Sequence, residues 1–302
     1  MAGVLPNEGS SRVVVRRFSP REAGDGLRGP GDFDAWVCRA VLNPRTPLFL
    51  EAHHLLQEET DHWDRALCHS ALAAIASGCS TQGEIAESLG APLTDASHCL
   101  ALLQANGLLC NEPDAFRPNL IRLRITEPLL AFEHAAVWPH RWPHRSELEQ
   151  QDPAEVWRHA RPVFDSAVAS PHFARICRDW VRDFADPAVF GARPATVAHG
   201  SLPDPARRAG PDAEAEVVVR GRVGTRSGAL LSVGAARWNE VMDLHHLEHL
   251  RHLLDLLATD GEDVTHARPA CYSGLGFTPA LRAAEADDGV VLVGLDRLYR
   301  GA

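Results

Sequence analysis

The chain has 302 residues, 45% of them hydrophobic, which is enough core material for two ordinary domains or for one with a long appendage. A net charge of −10 excludes polyanion binding over the molecule as a whole and confines any such contact to a local patch. All 30 basic residues are arginine, so chemistry that needs an ammonium is excluded: a Gly-Lys-Ser/Thr phosphate loop, a lysine Schiff base, a Ser-Lys dyad.

Residues 1–30, rich in Gly, Pro, Ser and Arg, show no sustained period and predict a loose arm. They contain no signal-peptide apolar segment, and no run in the chain approaches the ~18 apolar residues of a membrane span. A cytoplasmic protein without a membrane partner is expected. Residues 31–62 predict a helical lead-in. Phe33, Trp36, Val37, Ala40 and Val41 recur at helical spacing, Asn43 and Pro44 stop the helix, and "LFLEAHHLLQEE" resumes as a second one.

Residues 63–130 carry the clearest pattern. "RALCHSALAAIASG" predicts a helix ending at Gly78. "TQGEIAESLG" has Thr81 and Glu84 at capping-box spacing and closes at Gly90, and "TDASHCLALLQANG" predicts a helix opening at Thr94. In the segment after Gly107, Ile121, Leu123 and Ile125 alternate with Arg122 and Arg124, predicting a hairpin around a turn at Glu112-Pro113-Asp114. Three short helices and a hairpin make a winged helix-turn-helix.

Residues 131–160, rich in Trp, Pro, His and Glu, predict a helical connector, and a second domain over 161–302 follows. It opens with an amphipathic helix over 163–185, offset at Pro171. Strands are expected at 194–199, 214–220 and 229–236, a helix at 239–258, and a closing strand, helix and strand. The α-β-β-β-α-β order is that of the restriction-endonuclease-like core, giving an α+β protein with a mixed sheet.

Seven scattered cysteines without a Cys-x-x-Cys pair read as reduced, mostly buried thiols rather than a zinc site. His245, His249 and His252 have spacing that could hold a metal. Leucines 244, 247, 250, 254 and 257 supply the buried stripe of that helix, however, which leaves the histidines on a flank or the wet face. "CYSGLGFTPAL" lacks the third glycine of a dinucleotide loop and predicts a tight turn, with Cys271 in the core. The seven tryptophans read as packing anchors.

Five stretches, in order from about residue 31 to the end, resemble one family: "DFDAWVCRAVLNPRTPLFLEA", "ALCHSALAAIASGCSTQGEIAESLG", "RITEPLLAFEHA", "LLSVGAARWNEVM" and "CYSGLGFTPALRAA…VVLVGLDRLYRG". They are similar to the C-terminal part of actinobacterial versions of the archaeal-type AAA ATPases, where a winged helix and a restriction-endonuclease-like domain follow a P-loop domain. The resemblance implies those two folds here. It does not bring the ATP site, because the matching region starts after it and the chain has no lysine.

The family pattern reads roughly Glu-Val-Asp on one strand and Gly-Glu-Ala-Lys-Trp on the next. The corresponding residues here are Glu214-Ala215-Glu216 and Gly234-Ala235-Ala236-Arg237-Trp238, and a family Glu on the preceding helix corresponds to Ala174. Metal-dependent cleavage needs two carboxylates to hold Mg²⁺ and a lysine to orient the attacking water. Ala235 deletes one ligand, Glu216 moves the other by a methylene, and Arg237 offers a planar head whose pKa is too high for proton transfer. Losing one preorganised stabiliser costs ~10²–10³ in rate.

The resemblance therefore implies a pseudo-nuclease with no resident cofactor. Under the alternative of a divergent DNA nuclease, Glu214 and Glu216 would hold Mg²⁺. The third helix shows Asp95, Ser97 and His98 where a recognition helix reads bases, while Arg117, Arg122 and Arg124 on the wing are candidates for phosphate contact. The expected function is non-catalytic binding or regulation, directed at nucleic acid or at a protein. A further alternative is an accessory subunit or truncated form of an ATPase, joining its partner through residues 31–62.

Overall fold

A computed structural model describes residues 30–49, 65–137, 152–205, 212–287 and 289–300. The expected arm and most of the second lead-in helix lie outside these residues. Helix α1 (Phe33–Trp36) passes directly into a π turn over Val37–Val41.

Helices α2 (Arg65–Ala76), α3 (Gln82–Leu89) and α4 (Leu93–Ala105) follow, with local causes for their ends. Thr81 Oγ1 accepts the Glu84 N–H at 3.3 Å, and Glu84 Oε2 accepts the Thr81 N–H at 2.9 Å. Such a cap contributes about 1 kcal/mol. Gly90 terminates α3 at φ 59°, a conformation that a Cβ disfavours. Helix α4 begins at Leu93 behind Pro92, one residue ahead of the expected Thr94 and without a side-chain cap.

Strands β1 (Leu109–Pro113) and β2 (Ile121–Ile125) pair antiparallel, Leu109 opposite Ile125. The expected tight turn is a longer loop. Asp114 Oδ1 accepts the N–H groups of Phe116 (2.9 Å) and Arg117 (3.1 Å), which bends residues 114–120 back on themselves.

Helix α5 (Pro128–Phe132, extended by a π turn to Val137) and helix α6 (Pro153–Phe164) complete a helical core that includes Leu72, Ile85, Leu100, Leu130 and Trp157. This core reaches Val168, inside a π turn over Asp165–Ala169 that joins α6 to α7 (Ser170–Asp183). Pro171 occupies the first turn of α7, where its missing N–H costs nothing, so the break expected there falls in the preceding π turn. Helix α8 (Pro187–Phe190) follows.

The second unit is a five-stranded sheet in chain order: β3 (Pro194–Leu202), β4 (Ala213–Val223), β5 (Arg226–Arg237), β6 (Arg268–Ser273) and β7 (Val291–Gly294). The first three strands run antiparallel, and β5–β6–β7 run parallel. Helices α9 (Leu244–Thr259) and α10 (Pro279–Asp287) build an apolar core with one set of strand residues, including Leu230 and Val233. Helices α7, α8 and α11 (Leu295–Arg300) build another with Val217, Leu231 and Tyr272. Cover on both faces explains the consecutive buried apolar residues Val217–Val219 in β4 and Ala229–Leu231 in β5.

The helix expected at 239–258 begins at Leu244, because Asp243 Oδ1 accepts the His245 N–H at 3.0 Å and caps it there. Its buried stripe is Leu247, Leu250, Leu253 and Leu257, whereas Leu244 is 41% exposed. Among the described residues no helix is long and apolar enough to cross a membrane.

Gly234 on β5 tests how tightly the sheet packs. An added Cβ would stand 2.7 Å from Tyr272 Cε2 and 3.2 Å from Ala270 O, and Tyr272 is fully buried. Gly234→Ala is expected to lower stability by about 1–3 kcal/mol. Gly83→Ala on α3, where no atom lies within 4 Å of the new Cβ, should fall within about 0.5 kcal/mol of the parent. Urea unfolding of the two variants compares them directly.

The two units are joined through the β1–β2 loop, which lies against strand β3. Ala115 N–H donates to His199 O at 2.8 Å, and the Phe116 ring fills the space where a Cβ on Gly200 would stand, 2.5 Å from Cε2. The hairpin loop therefore protects part of an edge strand that would otherwise offer unpaired backbone groups.

Candidate functional site

Glu216 on β4 meets the end of β5. Its Oε1 lies 2.7 Å from Arg237 Nη1 and its Oε2 accepts the Ala236 N–H at 3.2 Å, while Arg237 Nη1 also donates to Ala236 O at 3.0 Å. Burial alone would lower the Arg237 pKa, but the Glu216 charge and hydrogen bond outweigh it, and the guanidinium is held above its usual value. The pair is thus closed on itself. From α7, the buried Arg178 donates to Glu216 O at 2.9 Å and reaches Glu112 Oε1 at 3.5 Å, tying the hairpin to this corner of the sheet.

Positions 235 and 174 of the pattern that the resemblance implies carry no ligating side chain. Ala235 is 1% exposed in the core beneath α9, and Ala174 is 5% exposed in the core beneath α7, so each contributes a methyl group to packing. Glu214 engages His199, whose Nε2 lies 3.9 Å from Oε2. That ring is the largest influence on the Glu214 carboxyl and, against the opposing cost of burial, holds it below the usual range; Arg122 and Arg237 add to the effect. Among the described residues no group of three or more His, Cys, Asp or Glu is placed to hold a metal ion.

The three wing arginines are each engaged within the chain. Arg117 Nη2 pairs with Asp212 Oδ2 at 2.8 Å and also contacts Ser201 Oγ. Arg122 donates to Ser201 Oγ at 2.6 Å and Ser80 Oγ at 3.0 Å, with Nε 3.6 Å from Asp114 Oδ2. Arg124 Nε donates to Glu112 Oε1 at 2.5 Å, Nη1 to Ile125 O at 2.8 Å, and Nη2 to Cys110 Sγ at 3.2 Å.

At the centre of this junction is Asp114, whose side chain is wholly buried. It accepts Ser201 N–H at 3.1 Å and Ser201 Oγ–H at 2.9 Å in addition to the two loop amides. Burial would raise its pKa, but those hydrogen bonds outweigh it and keep the carboxyl below the usual range. Glu112 behaves alike: burial opposes ionisation, and Arg178 and Arg124 overcome it.

Sequence reasoning passed over Asp114, Glu112, Arg178, His199 and Ser201. Asp114 signalled only a turn, and the alternation of Arg122 and Arg124 marks a polar face without saying what covers it. On helices α3 and α4, Glu84, Glu87 and Asp95 are exposed, and no arginine occurs between Arg65 and Arg117.

The α9 histidines serve separate partners. His245 is exposed, His249 Nε2 lies 3.4 Å from Glu214 O, and His252 Nε2 lies 3.0 Å from Asp204 Oδ2. None of the seven cysteines forms a disulfide, and burial pushes the Cys271 thiol up to about 12. Trp238, expected as a packing anchor, packs against Phe173 with tilted rings, 5.6 Å between centroids, yet remains 37% exposed. Trp63, Trp138 and Trp142 lie outside the described residues. Comparison with protein-family models, with curated proteins and with solved structures finds no match for the chain.

Proposed function

We infer that the chain is a non-catalytic binding or regulatory protein: a winged-helix unit held against a restriction-endonuclease-like sheet whose cutting chemistry is lost. In this reading it is a relative of the C-terminal part of archaeal-type ATPases, without an ATP site in the matching region. The observation that carries it is the closed Glu216–Arg237 pair, together with alanine at positions 235 and 174, each buried in a core. A carboxylate already neutralised at 2.7 Å by a guanidinium must give up that partner before it can ligate Mg²⁺, and the second acid that would share the ion is missing. The arginine cannot replace a lysine in proton transfer.

The geometry favours a protein over nucleic acid as the target. Arg117, Arg122 and Arg124 satisfy internal acids and hydroxyls, and the exposed face of α3 and α4 bears Glu84, Glu87 and Asp95. A duplex presents one phosphate charge per ~1.7 Å, which such a face repels.

With Mg²⁺ or Mn²⁺ and nicked, linear or single-stranded DNA, no cleavage is expected, and addition of EDTA should leave the melting temperature unchanged. Metal-dependent cutting that disappears in Glu216→Ala would establish the divergent nuclease instead. Binding to DNA that weakens steeply with salt would return the wing to a phosphate-contact role.

A further inference from the structure

The loops that leave β5 and β6 form one rigid ledge. Gly274 N–H donates to Arg237 O (3.0 Å), Met242 N–H to Gly276 O (3.0 Å) and Thr278 N–H to Met242 O (2.9 Å). Ser273 Oγ donates to Glu240 O at 2.9 Å and accepts the Gly276 N–H at 2.9 Å. Gly274 packs so closely on Trp238 that a Cβ would collide with the Trp238 backbone and ring.

This fixed frame displays large apolar side chains to solvent: Trp238 37%, Val241 47%, Leu244 41% and Leu275 58% exposed. Isolated exposed leucines are ordinary, but three large apolar groups on two locked loops and a fourth, Leu244, at the start of α9 have the character of a docking patch. Its rim is acidic, with Glu240, Asp243 and Glu248 all more than half exposed. The neighbouring guanidiniums are turned away, Arg237 to Glu216 and Arg282 over the Phe277 ring.

We propose that this ledge is the docking site for the chain's own residues 12–18, Arg-Val-Val-Val-Arg-Arg-Phe. The segment matches the ledge in kind. It has an apolar centre of Val13, Val14 and Val15, three flanking arginines, a further aromatic in Phe18, and no acid to oppose the rim.

The place where the described chain begins also supports it. Asp34 Oδ1 accepts from Trp157 Nε1 at 3.0 Å and pairs with Arg161, Arg161 Nε donates to Asp165 Oδ2 at 3.0 Å, and Asn239 Nδ2 reaches the same oxygen at 3.5 Å. Asn239 is the residue after Trp238, so the chain enters the described structure a few side chains from the ledge. Residues 19–29 reach up to roughly 36 Å when extended, ample for the return. A segment docked there lies beside the Glu216–Arg237 pair and competes with anything else that approaches this corner of the sheet.

Trypsin tests the idea cleanly, since without lysine it cuts only after arginine. In the full chain, cleavage after Arg12, Arg16 and Arg17 should be about tenfold slower than after Arg28, because cutting follows the undocked population. The surface substitutions Val241→Asp and Leu275→Asp should each bring the three sites up to the Arg28 rate while the helical content stays unchanged. Equal rates at all four sites in the parent, or protection that survives both substitutions, would overturn the proposal. Protection that fades on dilution together with a dimer seen by light scattering would also overturn it, assigning the ledge to a second copy.

Discussion

Asp114→Ala is expected to lower the unfolding free energy by about 3–5 kcal/mol, the cost of leaving a buried ion pair without one partner. The carboxylate is fully buried at the junction of the two units, and its removal strands Arg122 together with the Ser201, Phe116 and Arg117 amides. Ser201 Oγ would also lose its acceptor while still receiving two guanidinium contacts. Asp114→Asn keeps the shape and some of the acceptor capacity but not the charge, so it should fall between the parent and the alanine variant. Urea unfolding followed by circular dichroism measures all three. A loss below 1 kcal/mol for the alanine variant would mean that the hairpin does not depend on this junction. A second transition appearing in that variant would show that the junction couples the helical unit to the sheet.

A second large effect is expected between pH 6.5 and 4, from His134. The ring is 1% exposed, its Nδ1 lies 2.9 Å from Leu130 O, and its Nε2 lies 3.1 Å from His69 Nδ1 with the two rings stacked. Burial is the main cause that lowers its pKa to about 4; the bond to Leu130 O opposes the shift and His69 reinforces it. The unfolded chain therefore takes up a proton near pH 6.5 that the folded chain refuses until about pH 4. Stability is full above 6.5 and declines as pH falls through this window, by about 3 kcal/mol in total. His172, also lowered chiefly by burial, contributes in the same direction. The carboxyls of Glu112, Asp114 and Glu214 act later. Their stabilisation is present above the ordinary carboxylate range and is lost only as pH falls below it.

His134→Gln can keep the bond to Leu130 O without titrating. Its urea midpoint should fall less from pH 6.5 to 4.5 than that of the parent, with the remaining slope coming from His172. Parallel slopes in the two proteins would remove His134 as the cause.

Much of the local structure was legible in the sequence because local chemistry dictates it. Thr81 and Glu84 sit three residues apart and cap α3, and Gly90 ends that helix at positive φ. Strands were expected at 214–220 and 229–236, and β4 and β5 run only a few residues longer. The misplaced start of α9 has an equally local cause. Leu244 has the right spacing for the buried stripe, but the Asp243 cap begins the helix there and leaves it at the surface.

The candidate site divides the same way. Residue types could be read directly: no lysine in the chain, and alanines at 174 and 235. What the remaining groups face was not. Arg117, Arg122 and Arg124 lie more than 70 residues from Ser201, and whether such arginines meet phosphate, water or a buried carboxylate depends on which surface the hairpin rests against. Periodicity and capping act over a few residues, so the sequence by itself determined the elements and the residue types available at each position. Only packing between distant segments decided that Glu216 closes onto Arg237, that Asp114 gathers the wing, and that Trp238 stands on an exposed ledge. A side chain's partner is a property of the assembled tertiary structure rather than of its neighbours along the chain.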